Sequence, residues 1–207
     1  MRKSTMTLLA LSLMLFLGCS SESENLTENS KSPNFRVYES VIKGINNVLG
    51  DRAAEGEYCA TTNLIAGQHH IAGTVTVEND GENLIITYTT NEDWTIDLTH
   101  MSIGDCEQSI PTTGSGNPKV GHFEHTEPHS ADTNQVIYMV SLDIVPENYC
   151  FAAHAEVHGP TGGETAWAEG PGFDGNSWAM YVEAFLSDCP GSNESDEGEP
   201  GGDYDEE

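Results

Sequence analysis

The run His154-Ala155-Glu156-Val157-His158 sets two imidazoles and a carboxylate two residues apart, the spacing at which side chains of an extended strand leave one face. Imidazoles about 6.6 Å apart along such a strand can converge on a divalent ion, and a carboxylate between them is a suitable third ligand. A denser cluster spans His122, Glu124, His125, Glu127 and His129, just after a Gly- and Pro-rich stretch. These imidazoles and carboxylates have the donor chemistry for zinc, copper or nickel, and the same histidines titrate near pH 6.5 as a switch. The segment contains no H-E-x-x-H, and Pro128 opposes a helix that would align ligands. Calcium is the third metal candidate, since Asp80, Asp93, Asp97, Asp105, Asp132 and Asp174 fall in or beside expected turns. No D-x-D-x-D-G run occurs, however, and turn geometry alone accounts for Asp80-Gly81 and Asp174-Gly175.

Catalytic patterns are sparse. There is no G-x-S-x-G. Glu156 with Glu164 or Glu169 has the chemistry of a glycosidase pair, but in so acidic a chain two carboxylates meet by chance in any fold. The chain therefore reads as non-catalytic. Trp94, Trp167 and Trp178 are the residues able to stack on a sugar ring. Trp94 and Trp178 fall on apolar strand faces, which leaves Trp167, in a Gly-rich surround, as the candidate ligand contact.

Cys59, Cys106, Cys150 and Cys189 are an even set in a chain that reads as exported, which argues for two disulfides. Three connectivities are possible. Cys59 with Cys189 is preferred because it staples the ends of the folded region, leaving Cys106 with Cys150. No C-x-x-C pair supports a four-cysteine zinc site. The fifth cysteine, Cys19, follows Arg2 and Lys3, an apolar run from Leu8 to Leu17 too short to span a bilayer, and Phe16-Leu17-Gly18. This leader resembles a bacterial lipoprotein signal peptide. The resemblance implies cleavage before Cys19 and acylation of that residue, and several acyl chains make the membrane attachment effectively permanent. Ser20-Ser21-Glu22-Ser23-Glu24 resembles the export signal of surface-displayed lipoproteins in Bacteroidota, which implies an outer-membrane protein facing the exterior.

The chain holds 34 acidic and 7 basic residues, a formal charge of −27, and loss of Arg2 and Lys3 with the leader takes it to −29. From Tyr58 onward Lys119 is the only base. A field of that sign repels phosphate backbones and anionic lipid surfaces, which excludes nucleic acid and peripheral membrane binding as readings. Cations, cationic partners and a saline exterior remain compatible.

The elements that must carry these groups follow from periodicity. Residues 1–18 are the leader, and 19–33, rich in Ser, Glu and Asn, form a flexible tether. In the 34–57 segment Phe35, Tyr38, Val41, Ile42, Ile45, Val48 and Leu49 recur every three or four residues before Gly50, which predicts one amphipathic helix. Across 58–189 the period becomes two, with turn clusters at strand-length intervals, and Asn79-Asp80-Gly81 is a hairpin turn. Seven or more antiparallel strands without βαβ alternation predict an all-β chain built as a β-sandwich. Residues 190–207 carry eight acids and read as a disordered acidic tail.

One resemblance spans most of the folded region. Leu64-Ile65-Ala66-Gly67-Gln68, Ile85-Ile86-Thr87-Tyr88-Thr89-Thr90, Trp94, Thr99-His100, Gly116-Asn117-Pro118-Lys119-Val120-Gly121, Ala152-Ala153-His154-Ala155 and Glu164-Thr165-Ala166-Trp167-Ala168-Glu169-Gly170 carry it. Together they resemble an uncharacterised secreted β-domain of bacterial cell-surface proteins, found alone or appended to other modules. The resemblance implies no activity and no cofactor. The expectation is a non-catalytic, surface-anchored lipoprotein whose domain binds an extracellular glycan or protein. A divalent-metal-binding envelope protein and a purely structural one are the alternatives.

Overall fold

The computed structural model describes residues 27–28, 34–42, 58–107 and 109–190. The leader with Cys19, most of the tether, the later part of the expected helix and the acidic tail lie outside them. Eleven strands join in one sheet: β1 (Thr27–Glu28), β2 (Phe35–Ser40), β3 (Ala60–Ala66), β4 (His70–Asn79), β5 (Asn83–Thr90), β6 (Thr95–Asp105), β7 (His125–Pro128), β8 (Gln135–Ser141), β9 (Asn148–Gly159), β10 (Gly162–Ala168) and β11 (Val182–Phe185). Their order in space is β1-β2-β8-β5-β4-β3-β10-β9-β6-β7, and all pairings are antiparallel. β11 shares the β10 edge of β9, because β6 occupies the other edge along Thr95–Asp105. The expected β4–β5 hairpin is present. Its Gly81 takes φ +90°, and the Asp80 carboxylate accepts from the backbone N–H groups of Glu82 and Asn83.

Two expectations change. The sheet is one continuous ladder curled into a half-barrel, where the alternating strands predict two stacked sheets. Alternation says only that each strand buries one face, and a curled sheet provides that by packing its inner face against itself. Phe35–Ser40 is a strand, where the spacing predicts the start of a helix. The same residues also fit period two: Phe35 and Val37 are buried in the core, and the open edge of β8 offers a hydrogen-bonding partner from Phe35↔Val140 to Ser40↔Gln135. An edge ladder plus core burial outweighs a local helical preference. Ile45, Val48 and Leu49 fall outside the described residues.

The inner face holds the main core. Leu84, Ile86 and Tyr88 from β5, Val136, Tyr138 and Val140 from β8, and Phe151, Ala153, Ala155 and Val157 from β9 are all at or near zero exposure. A second, smaller core lies on the outer face, where Phe123, Ala152, Trp167 and Ala179 are buried under the long loops after β6 and β10. Disulfides join Cys59 to Cys189 and Cys106 to Cys150, the preferred pairing. The first ties the start of β3 to the residues after β11, and the second ties the loop after β6 to β9.

Candidate functional site

Strand alternation disperses the histidine cluster of 122–129. His125, Glu127 and His129 face inward, whereas Glu124 and His122 are exposed, His122 in a short 3-10 turn that precedes the strand. His125 stacks face to face on Phe35 of β2, and burial pushes its imidazole down to about 4. His129 donates or accepts at both nitrogens: Nε2 lies 2.7 Å from Thr99 Oγ1 and Nδ1 lies 3.0 Å from Glu39 Oε2. Ser130 closes the other side of Glu39 through its backbone N–H at 3.2 Å and its hydroxyl at 2.5 Å. These donors hold the Glu39 carboxyl below its usual range against the opposing effect of burial, the largest single influence on it.

Tyr138, Thr99, His129 and Glu39 thus form a chain of hydroxyl, hydroxyl, imidazole and carboxylate. The order is that of an activated nucleophile, but Thr99 has zero exposure and its oxygen is already shared with the Tyr138 hydroxyl. These side chains and the Phe35–His125 stack bridge β2 to β7 and the residues just after it, near opposite ends of the sheet.

The second histidine group separates in the same way. His154 and Glu156 leave the outer face of β9 with His158, but His154 is 5% exposed while Glu156 and His158 stand in solvent. His154 packs on Trp167, ring centroids 4.7 Å apart, and its Nδ1 lies 3.2 Å from Nδ1 of His100 on β6. Burial first, and the neighbouring His100 second, push His154 down to about 3. Among the described residues no group of three or more histidine, cysteine or acidic side chains is arranged to hold a metal ion, the expected sets His122, Glu124, His125, His129 and His154, Glu156, His158 included. The aspartates proposed for calcium likewise stand apart, Asp80 and Asp105 each capping a backbone N–H of its own turn. Trp167 is also not the exposed platform expected: it is 5% exposed, enclosed by His154, Phe123 and Phe173. Trp167 pairs with Ile65 and His154 on the outer face, and the loops close over that face.

Those loops build a concavity on the outer face. The segment 106–122 carries a tight hairpin, with Thr112 bridged to Pro118 and the Gly116 N–H donating to Thr113 O. The segment 170–181 carries another, with Gly172 bridged to Met180, and Phe173 N donating to Ala179 O. Asn117 locks them together by accepting from the Ser177 N–H at 2.9 Å, and it lies so close over Gly175 that a Cβ there would collide with its amide. Between them opens a cleft of about 230 Å³ lined by Glu107, Ile110, Thr112, Phe173, Asp174 and Tyr181, beside the Cys106–Cys150 bridge. Phe173 and Tyr181 are half-buried with ring centroids 5.2 Å apart, and Glu107 and Asp174 are exposed. The second core, floored by Ala152 and Trp167, supports this wall from beneath.

Sequence reasoning did not single out Glu107, Phe173 or Tyr181. The available signal is the segment Gly170-Pro171-Gly172-Phe173-Asp174-Gly175, where an aromatic and an acid sit in a stretch too rich in Gly and Pro to be a strand. Neither a family model, nor a curated protein, nor a solved structure matches this chain.

Proposed function

We propose that this is a non-catalytic binding module, anchored to the outer membrane through a lipid on Cys19 and facing outward, that takes its ligand in the outer-face cleft. The observation that carries this reading is the cleft itself: two partly exposed aromatic rings and two carboxylates on loops cross-braced by hydrogen bonds and a disulfide. A preformed site binds without the entropic cost of ordering loops. Loops that carry function on a rigid sheet are the usual arrangement of recognition surfaces. The Ser- and Glu-rich sequence that follows Cys19 fits a tether that holds such a site away from the membrane.

Two measurements test the reading. Fractionation of cells producing the full chain should find it in the outer membrane, and Cys19→Ser should move it to the soluble fraction with both disulfides formed. Arrays of glycans and of peptides probed with the oxidised chain should give hits that Tyr181→Ala abolishes. Retention of Cys19→Ser in the membrane overturns the anchor, and hits indifferent to Tyr181→Ala overturn the cleft.

A further inference from the structure

We infer that the outer-face cleft is selective for an organic ammonium group, held over Phe173 and Tyr181 and flanked by Glu107 and Asp174, a conclusion that rests on the cleft being the binding site. Three observations converge on that chemistry. The lining contains two carboxylates and no basic side chain, and Lys119, the only base after residue 58, is not part of it. The two rings stand tilted by 59°, and the negative faces of aromatic rings attract a cation within about 6 Å of the ring centre. The volume, about 230 Å³, is below the roughly 300–1,000 Å³ of sites for drug-sized ligands. It suits a single headgroup better than an oligosaccharide.

The whole-chain field acts in the same direction. A formal charge of −27 raises the local concentration of cations at a cleft walled by low-dielectric side chains. It also repels carboxylate and phosphate ligands from the same opening. An ammonium borne on a small molecule and one borne on a lysine side chain present the same cation, and the cleft recognises that shared group.

The test is a titration of the full chain, oxidised and in detergent, with choline chloride, with its uncharged carbon isostere 3,3-dimethylbutan-1-ol, with N-acetyl-lysine methylamide and with N-acetylglucosamine, followed through the ring resonances of Phe173 and Tyr181. Choline or the lysine derivative should saturate those shifts, and whichever binds tighter identifies the source of the cation. The isostere should bind at least about tenfold more weakly, the order expected for a cation–π contact reinforced by charge. The Glu107→Gln, Asp174→Asn double variant should weaken cation binding about tenfold with its thermal midpoint unchanged, and 1 M salt should weaken it comparably, since exposed charges are then screened beyond roughly 3 Å. Equal binding of the isostere, or an unaltered affinity in the double variant, overturns the cation selectivity. Saturable binding of N-acetylglucosamine without binding of either cation also overturns it while leaving the cleft as a binding site. No saturable shift with any of the four overturns both.

Discussion

Glu39 accepts three hydrogen bonds on one nearly buried carboxylate, two from Ser130 and one shared with His129. Glu39→Leu removes the acceptor shared by Ser130 and the buried His129 side chain, so it should cost about 2–3 kcal/mol, in the range for hydrogen bonds to a charged group. Urea denaturation measures this, with exposed Glu156→Gln as a control expected to stay within about 0.5 kcal/mol. Acid should loosen the same seam. His125, held at about 4, and His154, held at about 3, are neutral when folded, and burial also depresses His100 and His129. In the unfolded chain these imidazoles protonate near 6.5, so the unfolded state binds more protons below that point and folding stability falls with pH. Stability is therefore full above pH 6.5 and declines by up to about 1.4 kcal/mol per pH unit for each of His125 and His154 between about 6.5 and 4, with a further loss in the same direction from His100 and His129. The depressed carboxyl of Glu39 adds a loss in the same direction at lower pH. A urea midpoint that is equal at pH 7 and pH 4.5 would contradict this account.

At the scale of elements, the sheet depends on places where two backbones approach without a side chain between them. Gly73 of β4 lies opposite Thr90 of β5, and a Cβ on Gly73 would press into the backbone of Thr89 and Thr90. The obstacle is main chain on a paired strand, which cannot rotate away. Gly73→Ala should thus destabilise by about 2–3 kcal/mol, as overpacking does, and should raise amide exchange along β4 and β5 more than along β9. Uniform protection in both pairs would show the approach to be relieved elsewhere. The ladder between β3 and β4 already shifts register between Leu64 and Ile65, opposite Gly73, and such an irregularity bends the strand locally.

For the molecule as a whole, the half-barrel is fastened in two ways: by side chains across the seam from β2 to β7, and by Cys59–Cys189, which links residues 130 apart in sequence. Closing a loop of that length in the unfolded chain is worth about 5 kcal/mol in the chain-entropy model. The Cys59→Ser, Cys189→Ser double variant should accordingly lose a large share of the roughly 5–15 kcal/mol typical of such domains, seen as a fall in urea midpoint. The outer-face second core should persist in that variant, because Cys106–Cys150 fastens it separately. Loss of the Phe173 and Tyr181 ring-contact signals along with the midpoint would mean that the two cores melt as one.

Alternating apolar residues such as Val136, Tyr138 and Val140 made the strands readable from sequence, because a period of two needs no knowledge of neighbours. Chain order likewise favoured the cysteine pairing. Both are local or nearly local properties. The apolar spacing of Phe35–Ser40 satisfies two periods at once, and the edge of β8, about a hundred residues later, settles that the strand forms. The histidines show the same limit: composition puts His122, His125 and His129 together, yet β7 turns His125 inward, the residue after it, His129, meets Glu39 at the seam, and the 3-10 turn before the strand leaves His122 in solvent. Trp167 went from candidate platform to buried support because two distant loops fold over its face. The cleft of Glu107, Phe173, Asp174 and Tyr181 joins segments more than sixty residues apart, and only their cross-bracing through Asn117 and the β9 disulfide brings those side chains into one site.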